Sequence, residues 1–373
     1  MFSLILFLLA LGWVFWVLFG YGILLAVLAR GKRVEPVQQF VPRSVTVLLA
    51  VHNGERWLRE KLNSLLALDY PAELLHILVI SDGSTDQTAA IANEYADRGV
   101  ECIEVAKGGK AAALSAGLAL AQGEILFFTD VRQPLDTTSL RELVSYFADP
   151  TVGVVSGELI IREGNSLAEA NVGLYWKYEK WIRIKLSRID SVLGATGCIY
   201  AMRRSLAKPL PQGCLLDDMY LPLCAFFQGY RVLFDSKARA YDQPTSLNSE
   251  FRRKVRTLAG VYQVIGYFPA LMGPKNRMWI HFISHKFGRL VVPFALLILA
   301  IMAFFLPWPL NTVMVAGQVL FYSLALTDML LNESSVLKRI TSPIRTFVVL
   351  MAASFAAASI LFRPGDSFWK PTR

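Results

Sequence analysis

A chain of 373 residues with 54% hydrophobic content and a formal net charge of +9 is long enough for one or two domains with sizeable cores, and too apolar for an ordinary soluble protein. Its basic residues sit beside apolar runs, so the positive charge suits an anionic membrane surface and argues against nucleic acid as a partner. Cys102, Cys198, Cys214 and Cys224 show no CxxC spacing and no paired histidines, which excludes a zinc site and a disulfide frame and fits reduced thiols.

In chain order, Phe2 to Ala29 carries no charged residue and, at about 1.5 Å rise per residue, is long enough to cross a bilayer. Its length and the lack of a preceding basic residue set it apart from a cleaved signal peptide. Arg30, Lys32 and Arg33 follow at once. From Pro36 the pattern changes to alternating elements. "SVTVLLAV" (Ser44 to Val51) is a β-branched, apolar strand, and "ERWLREKLNSLLAL" places Leu58, Leu62, Leu65 and Leu66 on one helical face. "LLHILVIS" is a second strand; it runs into "DGSTDQTAAIANEYADRG", where Ser84 and Gln87 are spaced as a capping box opening a helix. Then come the strand "VECIEV", the helix "KAAALSAGLALAQ", and a short strand, Ile125 to Phe128, that stops on Asp130 with Arg132 beside it.

Strand and helix alternating at this spacing predict an α/β fold, a mostly parallel sheet with helices on both faces. In such sheets ligands bind outside the carboxyl ends of the strands, so His52, Asn53, Glu55, Asp82 and Asp130 are expected to converge on one edge. A dinucleotide site would need GxGxxG after the first strand, and "AVHNGERWL" lacks it. "VAKGGKAAAL" fails as a phosphate loop, because Ala111 follows Lys110 where Ser or Thr should hold magnesium.

Towards the C-terminus, Leu290 to Leu310, Asn311 to Thr327 and Thr346 to Phe362 read as three further spans. Lys338, Arg339 and Arg345 fall between the last two, so the positive-inside bias puts both basic loops, and the middle of the chain, in the cytoplasm. The basic tail "RPGDSFWKPTR" runs against that orientation. The expected organisation is one N-terminal transmembrane helix (1–30), a cytoplasmic domain (36–250), basic interfacial helices (251–289) and three transmembrane helices (290–363).

The motifs "AVHNGE", "SDGSTD", "GGKAAALSAG", "FTDVRQ", "GATGCIYAMRR", "LLDDMYLPLCAFFQGYRV" and "FRRKVRTLAG" stand in the order of a known family. The chain from Val45 to about His285 resembles the membrane-embedded family-two glycosyltransferases, inverting nucleotide-sugar enzymes that include cellulose, hyaluronan and poly-N-acetylglucosamine synthases. The resemblance implies a GT-A-type fold with a nucleotide-sugar donor. Asp82 would accept from the nucleobase, with Ala50 to Glu55, His52 among them, completing the base and ribose pocket; a carboxylate acceptor suits the N3–H of uracil and so a UDP-sugar. Lys110 would meet the diphosphate. Asp130 matches the first acid of the family's DxD motif, which holds Mg²⁺ or Mn²⁺ against the diphosphate. Arg132 stands where the second acid is expected, so the guanidinium would take part of that charge. Asp218 matches the base that deprotonates the acceptor hydroxyl, with Asp217 its neighbour. In "FRRKVRT", Arg253 and Arg256 lie where polymerising relatives have a Gln-x-x-Arg-Trp stretch over the nucleotide; Arg253 replaces Gln and Thr257 replaces Trp, which weakens the case for processive synthesis. "YWKYEKWIRIKLSR" (Tyr175 to Arg188) reads equally as an amphipathic helix near acceptor and membrane surface or as core packing.

The expected protein is thus a multi-pass glycosyltransferase of a bacterial-type plasma membrane, transferring a sugar to a lipid-linked or membrane-associated glycan acceptor in cell-envelope or exopolysaccharide assembly. A processive β-glycan synthase that also exports its product would need a homo-oligomer or an assembly-pathway partner, because four spans are few for a channel. A nucleotide-sugar-binding subunit without catalysis is disfavoured by the intact Asp217–Asp218 pair, and by the lack of any charge but Asp328, at the end of the third span, to mark a transport path.

Overall fold

The computed structural model describes residues 1–31, 35–161, 167–243, 247–332 and 335–368. Lys32 and Arg33 of the first basic loop, and the last residues of the basic tail, lie outside them. The chain falls into two compact units, one formed by 31–162 and 183–243, the other by 1–30, 163–182 and 244–373.

The first unit holds a seven-stranded sheet: β1 (Val45–Val51), β2 (Leu75–Asp82), β3 (Val100–Val105), β4 (Ile125–Thr129), β5 (Val152–Ile161), β6 (Ile199–Arg203) and β7 (Arg231–Asp242), in the order β3-β2-β1-β4-β6-β5-β7. Helices α2 (Glu55–Leu66), α3 (Thr88–Asn93), α4 (Lys110–Leu120) and α5 (Ser139–Ser145) alternate with the strands, after the N-terminal apolar helix α1 (Phe2–Leu28). Parallel pairing joins β3, β2, β1 and β4, and also β5 with β7, while β6 runs antiparallel to both β4 and β5. The expected mostly parallel sheet is what forms. Val47, Leu49, Ile77, Val79, Ile125 and Phe127 are each at most 1% exposed, as strands covered on both faces require.

The end of β1 is built on Asn53, whose φ of +50° is the one positive value on a non-glycine among the described residues, a conformation asparagine tolerates better than most. It lets "HNGE" turn back on the loop after β2. There Asn53 Oδ1 accepts from Thr85 N (2.8 Å), Gly54 N donates to Thr88 Oγ1 (2.9 Å), and Glu55 Oε2 accepts from Gln87 N (3.0 Å). The expected capping box is absent: Asp86 Oδ1 accepts from Thr88 N (3.0 Å), and Ser84 instead turns its hydroxyl to Asn53 N (3.1 Å). The reciprocal stitching of the two loops uses both residues of the predicted box elsewhere.

The second unit contains four helices, among the described residues, long and apolar enough to cross a membrane: α1 (Phe2–Leu28), then Trp279–Ala303, Leu310–Leu330 and Lys338–Leu361. One N-terminal and three C-terminal spans match the sequence expectation, with different boundaries. Lys338 and Arg345, read as loop residues, lie within the last helix. Arg345 Nη1 pairs with the buried carboxylate of Asp328 at 3.2 Å, Thr341 donates to the same carboxylate at 2.7 Å, and Lys338 Nζ donates to Leu331 O at 2.8 Å. Local charge compensation allows the helix to begin earlier than hydropathy indicates. Phe7, Ala10, Val14 and Val17 of α1 pack against Val292, Ala295, Leu299 and Ala303; a Cβ on Gly288 would stand 2.8 Å from Val17, so a small residue sets the approach of the two helices.

Candidate active site

One strand end and two helix starts assemble the site in the sheet unit. β4 delivers Asp130, and α4 begins at Lys110 after a Gly-Gly turn. A further helix, Asp217–Phe227, opens on the two acids Asp217 and Asp218, a position where the positive end of the helix dipole favours carboxylates. The Lys110 ammonium lies 2.9 Å from Asp130 Oδ1 and 3.2 Å from Asp217 Oδ2. Burial acts to deprotonate Lys110, but the charges of Asp130 and Asp217 outweigh it and hold the pKa above that of an ordinary lysine. Asp218 shifts the other way: burial first, then repulsion from Asp217, raise its carboxyl to about 6, with Lys110 and Arg183 opposing. A carboxyl raised in this way is suited to holding a proton.

The "GATG" segment wraps Asp218. Ala195 N donates to Asp218 O at 2.6 Å, and a Cβ on Gly197 would meet Asp218 Oδ2 at 3.0 Å. Arg183 Nη1 donates to Thr196 Oγ1 at 2.6 Å, and Thr196 N donates to Ser156 Oγ at 2.8 Å, anchoring the segment to β5.

Asp130 Oδ2 takes no hydrogen bond or ion pair among the described residues, Asp217 Oδ2 is buried with the Lys110 ammonium beside it, and the Tyr200 hydroxyl is buried without a hydrogen bond. No three protein ligands gather as a cage among the described residues. Hard carboxylate oxygens with unfilled capacity fit a Mg²⁺ or Mn²⁺ ion that completes its shell with substrate phosphates and water, the usual habit of Mg²⁺ in nucleotide sites.

The other predicted residues take more varied places. Ala50 lies in β1 beside Ile80. His52 is exposed, with Nδ1 2.7 Å from Asp82 O; a carbonyl only accepts, so Nδ1 carries the proton and Nε2 is left as an acceptor. Glu55 is occupied in the loop stitching. Asp82 is 4% exposed and accepts from Gly108 and Gly109. Arg132 pairs with the buried Asp242 of β7 at 2.9 Å, and Gln133 Nε2 donates to the same oxygen at 2.8 Å; the guanidinium where a second acid was expected is thereby neutralised by an acid 110 residues away. Arg253 and Arg256 belong to the helix unit, on Leu247–Tyr267, where Arg253 Nη2 pairs with Glu250 at 2.6 Å and its guanidinium stacks over Trp176.

Sequence reasoning missed Lys61, read as part of an amphipathic helix. It is 1% exposed, and its Nζ donates to Thr129 Oγ1 (2.7 Å) and Gln133 O (2.6 Å), tying α2 to both sides of the Asp130 turn; burial lowers its pKa to about 7. Lys61→Met keeps the length and removes the donor, leaving the Gln133 carbonyl unsatisfied at a cost of about 1–3 kcal/mol. The expected result is a lower thermal midpoint together with reduced turnover. A variant as stable and active as the parent would show that the turn holds without Lys61.

Comparisons with known proteins bear on the family and the fold. Residues 46–210 match the family model described as glycosyl transferase family 2. Among curated proteins, the chain is 26% identical over 243 residues to the probable glycosyltransferase YdaM of Bacillus subtilis, covering 61% of this chain and 57% of that one. It is 24% identical over 247 residues to a poly-beta-1,6-N-acetyl-D-glucosamine synthase of Staphylococcus epidermidis, covering 63% and 59%. The chain therefore spans a little over half the length of these two relatives. Among solved structures, the mannosyltransferase PcManGT from Pyrobaculum calidifontis, in complex with GDP-Man and Mn²⁺, superposes with a TM-score of 0.73 at 20% identity, covering 96% of this chain and 98% of that one. That likeness shows the fold, a GT-A-type sheet with flanking and apolar helices.

Proposed function

We propose that this chain, whose residues 46–210 match the family model of glycosyl transferase family 2, is a membrane-bound, inverting glycosyltransferase. It moves a sugar from a nucleotide donor, a UDP-sugar, to a lipid-linked or membrane-associated glycan acceptor in cell-envelope or exopolysaccharide assembly. The observation that carries the proposal is the Lys110 ammonium between Asp130 and Asp217, with Asp218 next in the chain and its carboxyl raised to about 6.

In this reading the acceptor hydroxyl attacks C1 of the donor sugar as the bond from C1 to the diphosphate oxygen breaks, and Asp218 takes the hydroxyl proton. Lys110 meets the charge that develops on the departing nucleotide. Asp130 would hold Mg²⁺ or Mn²⁺, and the ion would neutralise part of the diphosphate charge; the PcManGT structure was solved with Mn²⁺. Asp217 keeps Lys110 in place. The catalytic domain is cytoplasmic in a bacterial-type plasma membrane, where nucleotide sugars are made. A processive synthase is the second reading, favoured by the Staphylococcus epidermidis relative; Thr257 in place of an aromatic weighs against it.

The test is to incubate the purified enzyme in lipid with a panel of UDP- and GDP-sugars and measure release of free nucleotide. One donor should be turned over, a chelator should abolish the release, and Mg²⁺ or Mn²⁺ should restore it. Release from no donor would sink the enzymatic reading, and full activity in chelator would leave Lys110 as the principal charge stabiliser.

A further inference from the structure

Tyr200 lies on the interior strand β6 and is 0% exposed. It pairs in register with Phe128 of β4, and the two rings stack with centroids 4.5 Å apart and planes within 3° of parallel. Its hydroxyl is buried without a hydrogen bond, and the titratable groups that face it are Asp217, Asp218, Asp130 and Cys214. Burial first, then the charges of the three acids, push the phenol well above its ordinary range, so it keeps its proton and meets them as a neutral donor. Phenylalanine would fill the same space and stack on Phe128 without leaving a polar atom unsatisfied. A buried hydroxyl with no partner calls for a state of the protein in which it has one.

For Asp217 Oδ2 the structure offers the Lys110 ammonium, at 3.2 Å, and no hydrogen bond among the described residues; the same ammonium lies 2.9 Å from Asp130 Oδ1. Building on the glycosyltransferase reading, in which Lys110 serves the leaving nucleotide, we propose that Tyr200 is a positioning residue: its hydroxyl takes over Asp217 when the donor diphosphate draws Lys110 away. Asp217 is 7% exposed, and a carboxylate so buried needs a compensating partner. A phenol donating to a carboxylate makes a short, charge-assisted bond. Being neutral, it does not compete with Lys110 for the diphosphate. Asp217 opens the helix whose second residue is Asp218, so holding the first acid keeps the second in place while Lys110 is engaged elsewhere.

A nucleoside and its diphosphate separate the two states, because a nucleoside leaves Lys110 with the acids. Binding of uridine, UDP, guanosine and GDP would be measured by calorimetry at one fixed concentration of Mg²⁺ on the parent, Tyr200→Phe, Asp217→Asn and the double variant, together with the thermal midpoint of each protein free of nucleotide. The parent should bind one diphosphate more tightly than its nucleoside; without that preference the glycosyltransferase reading falls, and this proposal with it. Tyr200→Phe should lose about 10-fold in affinity for that diphosphate, the size of one hydrogen bond to a charged group, and stay within about 2-fold for the nucleoside. Its nucleotide-free midpoint should be no lower than the parent's, since the hydroxyl removed has no partner there. Beside Asp217→Asn, where the charge it serves is gone, the same substitution should change diphosphate affinity by less than about 2-fold. An unchanged diphosphate affinity in Tyr200→Phe, an equal loss for the nucleoside, or a loss that persists beside Asp217→Asn would overturn the proposal and leave the glycosyltransferase reading standing. So would a lower midpoint or a failure to fold, which would give the hydroxyl a structural task in the free protein.

Discussion

Asp218→Asn lowers sugar transfer by at least about 10²-fold, the low end for a positioned general base, while nucleotide affinity survives. Asparagine keeps the shape of the side chain and its contact with the "GATG" segment, but cannot hold the acceptor proton. In the parent, activity should fall as pH drops through about 6, where the carboxyl protonates. The stability effect has the opposite sign. The folded carboxyl titrates above its ordinary value, so protonation favours the folded state, and that contribution is present below about 3.9 and lost as pH rises through about 6. Asparagine does not ionise; the variant should therefore be more stable than the parent at pH 7–8, by on the order of 1 kcal/mol after allowance for solvent screening, and no more stable at pH 4. Asp217→Asn should cost less turnover, since that residue holds Lys110 and leaves the proton to its neighbour. Parallel measurements of transfer, nucleotide binding and thermal midpoint check all of this. Transfer retained in the Asp218 variant, or lost in step with binding, would make the acid pair structural.

Glu179→Gln should be the most destabilising single change in the helix unit. Glu179 lies in the helix Leu167–Ile189, is 7% exposed, and its Oε1 pairs with Arg289 Nη1 at 2.6 Å and His285 Nε2 at 3.2 Å. Tyr21 stacks on His285 with ring centroids 5.7 Å apart and places its hydroxyl 3.2 Å from His281 Nδ1. Burial disfavours the ionised carboxylate, but Arg289 and His285 outweigh it and hold the group well below the usual range. Its stabilising contribution is therefore present at neutral pH and lost only in strong acid. Removing the charge of one partner of such a buried pair costs about 3–5 kcal/mol. Thermal unfolding in detergent should show a large drop, and adding Arg289→Met to Glu179→Gln should recover much of it. An unchanged midpoint in the single variant would mean that water, not Glu179, satisfies Arg289.

These two residues differ in how readable they were. Asp218 stands in a local motif whose chemistry depends on neighbours in sequence, and an acid pair opening an apolar helix is visible without coordinates. Glu179 sits in "YWKYEKWIRIKLSR", where the basic and aromatic residues read equally as a surface helix or as core packing. Its partners lie 106 and 110 residues further on, and no periodicity reports them. Lys61 was hidden for the same reason: within one amphipathic helix a buried lysine looks like a solvated one, and only the turn after β4, some 70 residues away, supplies its acceptors.

By itself the sequence determined the elements and their edge. Continuous apolar strands alternating with amphipathic helices require a buried, mostly parallel sheet; uncharged runs of some twenty residues require a bilayer or an equivalent apolar setting; and the acids stand where strands and helices must end. These properties follow from periods of two and 3.6 residues and from local steric rules, so they are encoded within short windows. The tertiary structure alone decided which charges meet. It gave Arg132 to Asp242, Asp82 to the backbone of Gly108 and Gly109, Arg345 to Asp328, and Lys110 to two acids at once. The physical reason is that a buried charge must find its compensation wherever the packed fold brings an opposite group, and that pairing across 17 to 110 residues is set by strand order and helix packing, not by any local pattern.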